Sequence, residues 1–174
     1  VTNVNACLAN APSGPTDAEI ARLYTDACGG AITVTHTTAP SGTDCSWSVV
    51  YTYTIKDKCN NVVAPAPVFT VSGGDKTAPV LTGIWPANIT GVNACLADAP
   101  SGPSDAAIAA LYTDGCGGTI SVTHTTTPSG ADCSWSVLYT YTVKDKCGNV
   151  VTPQPVLYVT GGDRTPPVIT LPAG

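Results

Sequence analysis

Residues 46–58 read Ser46-Trp47-Ser48-Val49-Val50-Tyr51-Thr52-Tyr53-Thr54-Ile55-Lys56-Asp57-Lys58. Trp47, Val49, Tyr51, Tyr53 and Ile55 alternate with Ser48, Val50, Thr52, Thr54 and Lys56. A period of two built from aromatic and β-branched side chains is the pattern of a half-buried strand. The run returns 88 residues later as Trp135, Val137, Tyr139, Tyr141 and Val143. Extending the comparison outward, residues 1–82 align without a gap on 89–170, with 60 of 82 positions identical. The 174 residues are therefore one module of about 88, present twice.

The rest of the module reads in the same way. Residues 32–37 form a second alternating strand and 68–71 a third. Pro65 and Pro67 place the entry to the third at an edge or outside the sheet. Residues 4–8 and 79–82 are weaker strand candidates. Thr16-Asp17-Ala18-Glu19 fits a capping box, and Ile20, Leu23 and Tyr24 follow at helical spacing. This predicts a helix of two or three turns at most, with Ser104 capping its second copy. Turns are expected at 12–15, 28–30, 40–42 and 73–75. Many short strands with such punctuation predict an all-β sandwich.

Composition narrows the function. Twelve acidic and seven basic residues give a net charge of −5. Without clustered Lys and Arg, no nucleic-acid partner is expected. Hydrophobic residues at 43% and charged ones at 11% exclude a disordered tail. No apolar run approaches the roughly 18 residues of a membrane span, so no membrane insertion is expected. Eight cysteines without a CxxC pair fit disulfides in an oxidising compartment rather than a metal site. With no initiator Met and no basic-led signal segment, the chain reads as a processed or excised piece.

The module boundary is expected at Gly73-Gly74-Asp75-Lys76-Thr77-Ala78-Pro79, with its twin at Gly161-Gly162-Asp163-Arg164-Thr165-Pro166-Pro167. Residues 1–74 are the first module, its first strand missing or supplied by a neighbour. Residues 75–162 are a complete second module, and 163–174 the first strand of a next one. Placing Gly174 before Val1 recreates the internal junction two residues shorter, so one period of a head-to-tail array is expected. Asp75, Pro79, Asp163, Pro166, Pro167, Gly174 and Val1 are the candidate junction residues, with proline restricting bending.

Four cysteines per module allow three pairings. Cys45 and Cys59 flank the long strand, and 14 residues at about 3.3 Å each separate them by roughly 46 Å. A disulfide needs Cα atoms within about 7 Å. If strand 32–37 runs antiparallel to 46–58, Cys28 meets the end where Cys59 emerges. Cys7 is then left for Cys45. The expected bonds are Cys7–Cys45, Cys28–Cys59, Cys95–Cys133 and Cys116–Cys147.

Other candidates are weaker. His36 and His124 are the only histidines, and one per module without a nucleophile and acid makes no triad. Asp26, Asp57 and Asn60, with Asp114, Asp145 and Asn149, flank cysteines and could offer oxygens to calcium. No DxDxDG-type loop is present, and they read as turn-formers. Trp47, Tyr51 and Tyr53 could stack on a sugar but fit core packing. Lys56, Asp57 and Lys58 are a solvated charge cluster. A Lys–Asn isopeptide cross-link is conceivable but redundant with disulfides. Asn88-Ile89-Thr90 is the single glycosylation sequon. No catalytic residue, cofactor or metal is expected.

Asp-Lys/Arg-Thr-Ala/Pro-Pro-Val at 75–80 and 163–168, with Tyr-Thr-Tyr-Thr-Ile/Val-Lys-Asp-Lys-Cys-Asn/Gly-Asn at 51–61 and 139–149, resembles hyalin-repeat (HYR-like) immunoglobulin-type modules. Asp26-Ala27-Cys28-Gly29-Gly30 and Asp114-Gly115-Cys116-Gly117-Gly118 resemble the variant repeated in large surface adhesins of gliding Bacteroidota, exported by the type IX pathway. The resemblance covers both modules, while the helical insert departs from the plain repeat. It implies tandem immunoglobulin-like β-sandwich modules, to which the capping-box reading adds one short helical insert each and the cysteine reading two disulfides. It also implies a secreted, cell-surface-attached stalk that holds an adhesive tip and contacts neighbouring copies head-to-tail. The alternatives are a filament subunit polymerising by strand exchange and a carbohydrate-binding module. Polysaccharide or other cells are the further partners to consider.

Overall fold

The structure, a computed structural model, describes residues 1–169. The chain separates into two compact units, 1–77 and 78–174. Unit one carries β1 (Val4–Asn5), a 3-10 turn (Leu8–Asn10), α1 (Asp17–Ala21), β2 (Thr33–Thr43), β3 (Ser46–Lys56) and β4 (Val68–Gly74). Unit two carries β5 (Val80–Leu81), β6 (Ile89–Val92), a 3-10 turn (Leu96–Asp98), α2 (Asp105–Ala109), β7 (Tyr112–Thr113), β8 (Ser121–Ala131), β9 (Ser134–Lys144) and β10 (Val156–Gly161). The four-stranded sheets run β1-β4-β3-β2 and β6-β10-β9-β8, and β5 pairs antiparallel with β7. The β1–β4 and β6–β10 pairs are parallel, and the other ladders antiparallel. The fold is all-β and immunoglobulin-like.

The decisive run is the central strand it promised. In β3, Trp47, Val49, Tyr51, Tyr53 and Ile55 are all buried, and β9 repeats the pattern. Each unit assembles its own core around that face, with Val71 from β4 or Leu157 and Val159 from β10 completely enclosed. Burying a large aliphatic side chain contributes roughly 1.5–3 kcal/mol, so the alternating face dominates each unit's stability. The two indoles also satisfy their polar atom. Trp47 Nε1 donates to the Ala6 carbonyl at 2.7 Å and Trp135 Nε1 to Ala94 at 2.8 Å.

Three expectations are corrected. Residues 40–42 are not the hairpin turn. β2 continues to Thr43, in register with Ser46, and the chain reverses at Asp44-Cys45. Pro40 is tolerated there because β2 is an edge strand, where a missing N–H need not break a ladder. Gly42 holds φ at 96°, a conformation that disfavours side chains. Gly73 and Gly74 likewise lie inside β4 rather than in a turn, because a Cβ on Gly74 would collide with the Cys45 carbonyl. The helices are also shorter than two turns. Thr16 forms the full capping box with Glu19, yet α1 spans five residues and leaves Leu23 76% exposed.

Residues 163–169 form no strand, and Gly174 lies outside the described residues. The weak candidates at 4–8 and 79–82 contain β1 and β5. Pro65 lies outside the named strands, after a cis Ala64–Pro65 bond repeated at Thr152–Pro153.

Candidate cysteine and junction sites

The β2–β3 hairpin sets the ends of the module. At its turn, Asp44 ties three segments together. Its Oδ1 accepts the Leu8 N–H at 2.9 Å and its carbonyl accepts the Asp75 N–H at 2.8 Å. Asp75 in turn accepts from the Thr77 N–H at 3.0 Å, and the Lys76 N–H donates to Asn5 Oδ1 at 2.8 Å. Cys7 and Cys45 are therefore gathered at the turn end, beside the exit segment 75–77. Unit two reproduces every contact. Leu96 donates to Asp132 at 3.0 Å, Asp163 to the Asp132 carbonyl at 2.6 Å, Thr165 to Asp163 at 2.8 Å and Arg164 to Asn93 at 2.8 Å. Cys95 and Cys133 are the equivalent pair.

At the opposite end, Thr33 pairs with Lys56, so the Cys28 turn and the Cys59 loop lie close together. Asp57 organises the loop, accepting from the Cys59 N–H (2.8 Å), the Asn61 N–H (2.8 Å) and Asn61 Nδ2 (2.6 Å). The Asn61 side chain and amide, with the Cys59 amide, hold the Asp57 carboxyl below its usual range. The Asp145 carboxylate accepts from the Cys147 N–H, the Asn149 N–H and Asn149 Nδ2 at 2.7–2.9 Å, and Asp114 accepts the Cys116 N–H at 2.9 Å. Lys146 Nζ donates to the Cys116 carbonyl at 3.3 Å, joining turn to loop. The carboxylates proposed for calcium thus act as turn-formers. At Asp26 the turn is closed by the backbone, the Gly29 N–H donating to the Asp26 main-chain carbonyl at 3.0 Å.

The oxidation states differ between the copies. Cys7, Cys45, Cys116 and Cys147 are disulfide-bonded. Cys28, Cys59 and Cys133 are exposed free thiols, and Cys95 is a half-buried one. The expected bonds Cys28–Cys59 and Cys95–Cys133 are therefore not formed, although the hairpin gathers each pair at one module end as reasoned. Burial, and then the carboxylates of Asp132, Asp163 and Asp98, push the Cys95 thiol up from its ordinary value.

The remaining candidates fall into structural roles. His36 Nδ1 meets Asp17 Oδ1 at 2.6 Å and His124 meets Asp105 at 2.6 Å, each fastening the short helix to its edge strand. Trp47, Tyr51 and Tyr53 are 3%, 8% and 1% exposed, so they form core and not a sugar-stacking platform. The side chain of Asn88, the sequon residue, accepts the Tyr158 N–H at 3.0 Å. Lys76 Nζ contacts Asn3 Oδ1, but the equivalents in unit two are Arg164 and Gly91.

The junction residues divide. Asp75 and Asp163 organise the exit segments, and Pro79 leads into β5. Pro166 and Pro167 lie in non-strand chain, and the Val1 amine donates to the Thr70 carbonyl at 2.9 Å. Asn5 and Asp44, with Asn93 and Asp132, were not singled out from the sequence. Their signal was identity in both copies within two residues of Cys7/Cys95 and Cys45/Cys133.

Within unit two, the entering segment also covers the module. β5 pairs with β7, and the Thr82 and Gly83 N–H groups both donate to the Leu111 carbonyl at 2.9 Å. The repeat equivalents in unit one, Tyr24 and Thr25, carry no strand, and Leu23 is open to solvent. Val168 and Ile169, the equivalents of Val80 and Leu81, are 87% and 85% exposed.

No helix among the described residues is long and apolar enough to cross a membrane. No curated protein matches the chain. A family model described as "HYR-like domain with 4 cysteines" matches residues 2–71 and 84–160.

Proposed function

Because the chain belongs to the HYR-like domains with four cysteines, we propose that it is a structural repeat of an extracellular adhesive fibre, its modules joined head-to-tail as a stalk. The family, the disulfides and the all-β fold point to an extracellular, non-catalytic repeat. The finer reading is a cell-surface stalk of the kind found in type IX-exported adhesins of gliding bacteria. The observation that carries it is the complementarity of unsatisfied ends. Val168-Ile169 repeats a segment that becomes β5 where a module receives it, and Leu23-Tyr24-Thr25 repeats the segment that receives it. One copy offers what the next lacks, which is strand addition between like modules.

The same observation favours a second arrangement, in which separate chains polymerise by donating residues 163–174 to a neighbour. A denaturing, reducing gel of native material, with peptide mapping, separates the two. A band of hundreds of kilodaltons is expected for the covalent stalk. A band near the 17.6 kDa of this chain would replace it with the strand-exchanged filament.

A further inference from the structure

β2 and β8 are the edge strands of their sheets, each 11 residues long. The strands at the opposite edges, β1 and β6, have two and four residues. An edge strand leaves every second N–H and C=O without a partner strand, and proteins commonly blunt it with charge, a bulge or a covering element. β2 and β8 contain no Lys, Arg, Asp or Glu. Their ladders to β3 and β9 run without a bulge. The short helices fasten to them through His36 and His124, yet residues 35–43 and 123–131 are exposed throughout.

The central strand shows which groups face outward. The Tyr53 N–H donates away from β2, to the Pro67 carbonyl at 2.9 Å, and Tyr53 stands opposite His36. Antiparallel pairs alternate between bonded and unbonded, so Val34, His36, Thr38 and Pro40 turn their backbone groups outward. Pro40, which has no N–H, therefore costs the β2–β3 ladder nothing. Gly42 shares this parity, but its φ of 96° leaves the extended range and ends the usable edge. In unit two the Tyr141 N–H donates to the Pro155 carbonyl at 2.9 Å and Tyr141 stands opposite His124. Val122, His124, Thr126 and Pro128 therefore face outward there.

We propose that these edges are lateral docking strands whose occupant is the same strand of a second copy of this chain. Antiparallel pairing about Thr37 uses the whole stretch. Val34 of one copy faces Pro40 of the other, and His36 faces Thr38. Thr37 then meets Thr37, a pair of the kind that stabilises sheets. The donor that Pro40 lacks falls at the end of this ladder, so its central bonds are complete. Charge selects a like partner. The chain carries −5 overall, which opposes self-contact through its acidic surfaces, but these strands set no like charges opposite one another. A strongly charged partner finds no complement there. A ladder this short falls below the roughly 1,200–2,000 Å² buried by stable complexes, so each contact is weak and reversible. This sideways surface does not depend on the head-to-tail reading.

The test begins by capping the thiols Cys28, Cys59, Cys95 and Cys133 with iodoacetamide, which prevents cross-linking. Sedimentation equilibrium should then show a mass that rises above 17.6 kDa with concentration and returns on dilution. Amide exchange should slow severalfold with concentration at Val34, His36 and Thr38, and at their twins Val122, His124 and Thr126. It should stay constant at Thr37 and Thr125, whose amides turn inward. Thr38→Pro/Thr126→Pro removes a central donor without touching the ladder to β3 or β9. It should hold the mass at 17.6 kDa at every concentration. Thr38→Lys/Thr126→Lys keeps every backbone donor and sets like charges diagonally across the contact, so it should do the same even where the proline variant fails to fold. Circular dichroism matching the wild type identifies the folded variants. A wild-type mass fixed at 17.6 kDa, association undiminished in a folded variant, or exchange that slows elsewhere than at these amides overturns the proposal.

Discussion

At the scale of single residues, the buried tyrosines of the central strands tie the sheet to the loop that carries the short helix. Tyr53 is 1% exposed, and its hydroxyl donates to the Pro15 carbonyl at 2.6 Å. Tyr141 repeats the contact to Pro103 at 2.9 Å. Tyr53→Phe keeps the ring and leaves a partly buried carbonyl without its donor, which costs about 1–3 kcal/mol. Urea melts should show that loss, while circular dichroism of the native sheet stays unchanged. The same residues set an alkaline limit. Burial, and then the Asp17 carboxylate, raise the Tyr53 hydroxyl above its ordinary 10.0. Burial first also raises Tyr141 and Tyr112. The unfolded chain therefore releases these protons first as pH rises, so stability is constant below pH 10 with respect to these groups and falls above it. Absorbance at 295 nm should show one part of the phenolate signal appearing only together with loss of structure, the part that belongs to these three buried tyrosines.

At the scale of elements, the helices test capping directly. α1 has Thr16 Oγ accepting the Glu19 N–H at 3.2 Å and Glu19 returning an acceptor to the Thr16 N–H at 2.8 Å. Those bonds hold the Glu19 carboxyl below its usual range, so this support is present at neutral pH and fades as acid protonates it. α2 has Ser104 but Ala107 in place of the glutamate. Thr16→Ala should cost about 1 kcal/mol and speed amide exchange at Glu19 and Ile20. Ala107→Glu should complete the box and slow exchange at the Ser104 amide. The elements also show what a sequence displays. β3 and β9 were legible because one face alternates without interruption, and the capping box because its partners are three residues apart. The hairpin turn was misplaced because Pro40 and Gly42 are turn residues by habit, and only their edge-strand position frees them to stay extended. The two exit glycines were misread for the converse reason. They are required by the carbonyls that crowd them, which belong to residues distant in sequence. The cysteine positions were legible to the residue. Which of them are oxidised was not, because both copies present the same cysteines at the same spacings.

At the scale of the whole molecule, the duplication supplies an internal control. The cores contain no common residue: one draws on Val34, Trp47, Val49, Tyr51, Tyr53, Ile55 and Val71, the other on residues between 85 and 159. Ile55 is 1% exposed within the first, so Ile55→Ala removes buried methyl and methylene groups and leaves a cavity, costing about 2–5 kcal/mol. That cost belongs to unit one alone, since substitutions separated by more than about 10 Å without shared partners act independently. Calorimetry in reductant should split the transition. A low-temperature component should carry the variant's loss, and a second should remain at the wild-type position. The twin substitution Val143→Ala, in a residue that is 0% exposed, should move the other component, by less because fewer carbons are lost. A single transition moving as one in both variants would mean that the modules fold as one cooperative body, and the independence of the two cores would be overturned.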